Sequence, residues 1–316
     1  MRGTGRRLIP GIAAAVCSAG LAFGATADQN VRVAQAAPPA PQAAAAALPA
    51  PQMITYTSNG LQLKAFLFMP KGPGPFPAVL WNHGSEANPS PDRPVASFWV
   101  SQGAVYFKPV RSGQGGNPGS YIVDQEKAIL DAVHSKKITL AAGQAQIIAL
   151  HQKANEDVIA ALQWLVAQAF VDKNRIAVGG GSYGGIQTLL TAQKNAKQKL
   201  GIKCFVAMSP AAESWNTSWS AFLTGAVKTM TTPIFLLQAK NDYNLGPSTT
   251  LGPLVDAIGF PSRHMIFPAH ASNTGDPNDA NAGHGEFFTD PAAWGADVLA
   301  YLQDCKVLAG PTGATP

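Results

Sequence analysis

The chain has 316 residues, 46% of them hydrophobic and 13% charged, with 31 glycines and 25 prolines. This length and balance exclude a fibrous or wholly disordered chain and suit one large α/β domain with a sizeable core. The formal charge of +5 is misleading: without Arg2, Arg6 and Arg7 there are 20 basic against 18 acidic side chains, and no basic patch interleaved with aromatics points to nucleic acid.

Those three arginines precede an apolar stretch over 8–23, and Ala25-Thr26-Ala27 has the form of an A-x-A cleavage site. The pattern predicts a signal peptide over 1–27 and a secreted or periplasmic protein. The stretch is short and interrupted by Pro10, Gly11, Gly20 and Gly24, which speaks against a stable membrane span. From 34 to 52 the chain is almost only Ala, Pro and Gln, so 28–52 is expected to be a flexible linker. The catalytic domain is expected over 53–308, with a flexible tail over 309–316. Past the cleavage site only Cys204 and Cys305 remain, a pair that fits one disulfide or two buried thiols. Cys-x-x-Cys and Cys/His zinc spacings do not occur.

Within the domain, β segments at 53–57 and 61–69 flank Ser58-Asn59-Gly60, whose Asn-Gly predicts a hairpin turn. Residues 78–81 read as a buried strand running into Asn82-His83-Gly84-Ser85. Phe98 and Trp99 read as helix core or as a pocket wall. A strand over 104–110 is closed by Arg111-Ser112-Gly113-Gln114-Gly115-Gly116. Helical periodicity covers 123–137 and 143–168. Val171-Asp172-Lys173-Asn174 is expected to turn the chain into a strand over 175–179, followed by Gly180-Gly181-Ser182-Tyr183-Gly184 and a helix over 186–199. Strands are expected at 204–208, 234–238 and 264–267, and helices near 247–258 and 291–306. Strands alternating with helices imply a mostly parallel sheet covered on both faces, with its chemistry beyond the carboxyl ends of the strands.

Gly180 to Gly184 reads as G-x-S-x-G. Between a buried strand and a helix, this motif folds as a sharp turn that lifts the serine hydroxyl clear of the sheet. A serine nucleophile needs a base, and the base needs an orienting acid. Of the six histidines, His134 and His151 fall in the helical region before Ser182 and read as surface residues. His264 opens a strand, and His83 precedes the serine, out of order for the base. His270 and His284 remain. His284 is favoured, because Gly283 and Gly285 allow its imidazole to be presented from a loop. Asp242 lies just past the strand over 234–238, and the order Ser182, Asp242, His284 is that of nucleophile, acid and histidine in α/β-hydrolases.

A developing alkoxide needs N–H donors, for which Tyr183 and Ser85 are the candidates, with His83 bracing the loop. Trp215, Trp219 and Phe222 fall in a stretch expected to form a small cap, where they either line a substrate pocket or pack the core. Asp276 and Asp279 read as calcium ligands or, preferably, as solvated loop carboxylates.

With these residues in place, the chain from about Met53 to Lys306 resembles a dienelactone-hydrolase-type member of the α/β-hydrolase superfamily. The resemblance is carried by Trp81-Asn82-His83-Gly84, by Arg111-Ser112-Gly113-Gln114-Gly115, and by the run from Asp157 through Val178 before the serine. It continues in Ser182-Tyr183-Gly184-Gly185, Asn241-Asp242-Tyr243, Gly283-His284-Gly285 and Trp294-Gly295-Ala296-Asp297-Val298. It implies the α/β-hydrolase fold and a triad of Ser182, Asp242 and His284 acting without metal or organic cofactor. Dienelactone hydrolases proper use a cysteine nucleophile; a serine here points to a general carboxylic esterase acting on small or polymeric esters. The chain around the serine also resembles the prolyl-oligopeptidase catalytic domain, but about 50 residues before the first strand leave no room for its propeller. Acyl transfer, peptidase action and a non-catalytic binding role on the same scaffold are the alternatives.

Overall fold

The structure is a computed structural model that describes residues 48–271 and 275–309. The expected signal peptide (1–27), most of the linker and nearly all of the tail lie outside the described residues.

The domain opens with a hairpin of β1 (Gln52–Ser58) and β2 (Leu61–Phe68). Asn59 and Gly60 take φ of 47° and 78°, the paired positive angles of the turn whose twist matches that of its strands. β3 (Phe76–Asn82), α1 (Arg93–Ser101) and β4 (Val105–Pro109) follow, then α2 (Ile122–His134) and α3 (Leu140–Val166). β5 (Val171–Gly181) is separated from α4 (Tyr183–Gln198) by Ser182 alone. β6 (Cys204–Met208), α5 (Ser218–Val227), β7 (Ile234–Ala239), α6 (Gly252–Asp256), β8 (Arg263–Phe267), α7 (Phe287–Thr289) and α8 (Pro291–Asp304) complete the chain.

One eight-stranded sheet runs in the order β1-β2-β4-β3-β5-β6-β7-β8. The β1/β2 and β2/β4 pairs are antiparallel and all others parallel. Successive strand residues point to opposite faces, so each strand feeds two cores. Leu80, Phe107, Val178, Phe205 and Leu236 pack with α3, α4 and α5 side chains on one face. Their neighbours Val79, Tyr106, Ala177, Val206 and Phe235 pack with α1 and α8 on the other. Trp99 belongs to that second core, its ring 6.0 Å from Trp81 and 6.3 Å from Trp294.

Three local features differ from the sequence expectation. Residues Val171–Asn174 do turn, with the Asn174 N–H on the Asp172 carboxylate at 2.9 Å, but they do so inside β5. Pairing with β3 therefore jumps from Phe76↔Val171 to Ala78↔Ile176. The stretch expected as a cap supplies α5, which packs Trp219, Leu223, Ala226 and Val227 into the core as the crossover between β6 and β7. The helix near 247–258 is split into a π-helical turn, Pro247–Leu251, and α6. Among the described residues, no helix is long and apolar enough to cross a membrane.

Candidate active site

The polar features gather beyond the carboxyl ends of β3, β5 and β7. Ser182 joins β5 to α4 with φ 56° and ψ −118°, a conformation that costs a non-glycine residue roughly 1–3 kcal/mol. The surroundings enforce it. The Ser182 N–H donates to the Met208 carbonyl at 3.0 Å, and its own carbonyl accepts the Ile186 N–H at 3.1 Å. The flanking glycines are needed because Asn82 is so near. A β-carbon at position 180 would lie 2.5 Å from the Asn82 carbonyl oxygen, and one at 184 would overlap that oxygen and lie 2.7 Å from its carbon.

His284 Nε2 lies 2.8 Å from Ser182 Oγ, and His284 Nδ1 lies 2.7 Å from Asp242 Oδ1. The Asp242 side chain is fully buried, so its charge must be met by donors. The Tyr243 N–H reaches Oδ1 at 2.7 Å and Gln238 Nε2 reaches Oδ2 at 2.8 Å. Gln238 is itself fixed by the Ser248 hydroxyl on its Oε1 at 2.8 Å. With a carboxylate on Nδ1, the imidazole carries its proton there and presents a bare Nε2 to the serine, the arrangement a general base requires. His284 sits in a π-helical turn, Ala282–Glu286, and not in an open loop. Gly283 lets that turn close on Asn241, whose backbone a β-carbon would approach to 2.5 Å. Tyr243 and Phe288 rings flank the imidazole, each at 4.9 Å between centroids.

His270, the competing base, is placed elsewhere. Its backbone bonds to both ends of the Asn241 amide at 2.8 and 2.9 Å, and its ring lies against Phe287. His264 bonds to Asp256 at 2.8 Å, a structural role. His83 is a brace, as expected: its Nε2 accepts the Arg111 N–H at 3.2 Å. Burial, reinforced by the Arg111 guanidinium, holds the His83 pKa well below the ordinary imidazole value.

His151 corrects the expectation of a surface histidine. It is 1% exposed, its ring stacked on Tyr183 at 4.0 Å, with the edge of Trp219 at 4.5 Å. His151 Nε2 and the Tyr183 hydroxyl both meet Glu126 Oε1, at 2.8 and 2.9 Å. Burial and the Glu126 carboxylate push the Tyr183 pKa far above the ordinary phenol value, so the phenol remains the donor. Trp215 and Trp219 are buried in the core with Phe222 half-buried beside them, the packing side of the two readings. Ser85 is exposed, three residues past the end of β3.

Sequence reasoning passed over Gln238, Glu126 and the bond from Arg111 to His83. The signal for His151 was present: His151, Asn155, Val158, Leu162 and Leu165 recur at helical spacing, and all five are buried. Among the described residues, no group of three or more His, Cys, Asp or Glu side chains is arranged to hold a metal. Cys204 and Cys305 are free thiols.

Residues 145–218, from the second turn of α3 to the start of α5, match the prolyl oligopeptidase family. No curated protein matches the sequence. Among solved structures, a puromycin-hydrolyzing peptidase of Mycobacterium tuberculosis aligns at TM-score 0.59 and 18% identity over 84% of this chain and 41% of its own. An esterase of Pyrococcus furiosus aligns at 0.54 and 16% over 82% and 93%. A protein of Klebsiella pneumoniae described as a dienelactone hydrolase aligns at 0.52 and 15% over 80% and 97%. The chain spans a third to two fifths of the length of the peptidases it matches. Strand order, elbow and these likenesses agree: the chain has the α/β-hydrolase fold and is similar to the prolyl oligopeptidase family across its elbow.

Proposed function

We propose that the protein cleaves carboxylic esters by two-step acyl transfer, with Ser182 as nucleophile, His284 as base and Asp242 as orienting acid. One observation carries this reading: the unbroken hydrogen-bonded line from Asp242 Oδ1 through both imidazole nitrogens to Ser182 Oγ. As Oγ attacks the ester carbonyl, its proton passes to His284 Nε2, and the imidazolium that forms is stabilised by Asp242. The N–H groups of Tyr183 and Ser85 receive the alkoxide. His284 then protonates the leaving alcohol, and water, deprotonated by the same nitrogen, releases the acid and restores the serine. No metal or organic cofactor takes part in any step.

Purified protein should hydrolyse p-nitrophenyl carboxylic esters and be labelled at Ser182 by a fluorophosphonate. Ser182→Ala should lower turnover by at least about a thousandfold. Labelling elsewhere, or near-normal turnover in that variant, overturns the assignment. A second reading, serine peptidase, is favoured by the match of 145–218 to the prolyl oligopeptidase family. Offering short peptides and aminoacyl anilides beside the esters separates the two by kcat/KM. The arginine-led apolar start supports export with removal of residues 1–27 as part of this proposal, and N-terminal sequencing of secreted protein should find Asp28 first.

A further inference from the structure

The first residues of the loop after β3 present their carbonyls to the segment that follows β4. Arg111 Nη1 donates to the His83 carbonyl at 2.9 Å and Nη2 to the Gly84 carbonyl at 2.5 Å. The Tyr121 hydroxyl donates to the Ser85 carbonyl, Gln114 Nε2 to that of Glu86 at 2.7 Å, and the Gly115 N–H to that of Ala87 at 2.8 Å. Five consecutive carbonyls are thus taken by one segment, 111–121. Among the described residues, the N–H groups of Gly84, Ser85, Glu86 and Ala87 have no hydrogen-bond partner. The peptide bonds here are trans, so each N–H points opposite to the preceding carbonyl. Binding the Gly84 carbonyl therefore turns the Ser85 N–H away from segment 111–121 and leaves it free to donate.

Arg111 also reaches the other donor. Its guanidinium carbon lies 5.5 Å from the centre of the Tyr183 ring, within cation–π range, and the residue is 1% exposed. A single buried side chain thus grips the Ser85 loop and the side chain of Tyr183. The geometry points to Arg111 as the positioning residue of the oxyanion hole, which sets the two N–H donors relative to one another. This rests on the hydrolase reading given above. Arg111 touches no substrate; it acts through Gly84 and Tyr183. A lysine cannot reproduce it, since an ammonium lacks the planar fork that takes two carbonyls at once.

The test compares wild type with Arg111→Lys and with Tyr121→Phe, which removes only the bond to the Ser85 carbonyl and leaves the core intact. Three quantities are read: kcat and KM on a p-nitrophenyl ester, the inhibition constant of an alkyl boronic acid that mimics the tetrahedral intermediate, and Tm. Arg111→Lys should lose about tenfold or more in kcat with KM within about twofold, and boronate affinity should weaken by the same factor. Tyr121→Phe should show the same pattern at smaller amplitude with Tm unchanged, which a general loss of packing would not produce. If both variants fold and keep wild-type kcat and boronate affinity, or if only KM rises, the positioning role is overturned while the hydrolase reading stands. If wild type itself neither turns over esters nor binds the boronate, both fall together.

Discussion

Gln238 donates from Nε2 to Asp242 Oδ2 at 2.8 Å, joining the penultimate residue of β7 to the carboxylate that meets His284 Nδ1. The amide is fully buried and cannot rotate freely, since the Ser248 N–H and hydroxyl occupy its oxygen at 3.3 and 2.8 Å. Gln238→Leu strips a buried carboxylate of a donor, and hydrogen bonds to charged groups contribute about 1.5–3 kcal/mol. The expected outcome is a loss of that size in urea unfolding, with kcat reduced about tenfold. Gln238→Glu should be worse on both measures, because it sets a second carboxylate against Asp242. Unchanged kcat in both variants would remove Gln238 from the machinery.

Ser182 is held at φ 56°, and if its hydroxyl is the proposed nucleophile, stability and activity should separate there. Glycine adopts that angle without strain, and Ser182→Gly should therefore be about 1 kcal/mol more stable than Ser182→Ala, both being inactive. Paired thermal unfolding of the two dead variants measures the difference directly. Equal melting temperatures would mean that the elbow stores no strain.

Much of this site was legible from local pattern. The elbow is a contiguous motif, and the order of Ser182, Asp242 and His284 needed only the strands before each of them. What escaped depends on partners distant in the chain. Burial of His151 is tolerable only because Glu126, 25 residues earlier on α2, accepts its Nε2–H. Arg111 looked like one residue of a polar loop, and its role exists only against carbonyls 27 and 28 residues before it. The bulge in β5 arose because turn residues and strand residues overlap there: Asp172 turns Asn174 while Val171 is already paired to Phe76. No periodicity encodes any of these pairings.

Gly184 illustrates a constraint set by packing and not by φ. A methyl group there would overlap the Asn82 carbonyl oxygen and approach its carbon to 2.7 Å, and both are backbone atoms of a buried strand. Gly184→Ala should cost at least about 3 kcal/mol, at the upper end for overpacking, and lower Tm by about 6–12 °C. Gly285→Ala is the control, since a β-carbon at that position meets nothing within 4 Å. Near-equal melting of the two would contradict the close approach of α4 to β3.

Acid should destabilise the fold through two histidines before the carboxylates titrate. Burial lowers the pKa of His83, aided by Arg111, and burial also lowers that of His151 despite the opposing bond to Glu126. In the unfolded chain both titrate near the ordinary value of about 6.5. Below that pH the unfolded state takes up protons that the native state refuses, so stability is full above about pH 6.5 and falls as pH drops toward the native values. The limiting slope is about 1.4 kcal/mol per pH unit for each histidine. Urea unfolding at intervals from pH 7.5 to 5 should show this decline, and His151→Phe, which keeps a ring against Tyr183, should remove up to one proton from it. A wild-type stability flat across that range would mean that neither imidazole is held neutral.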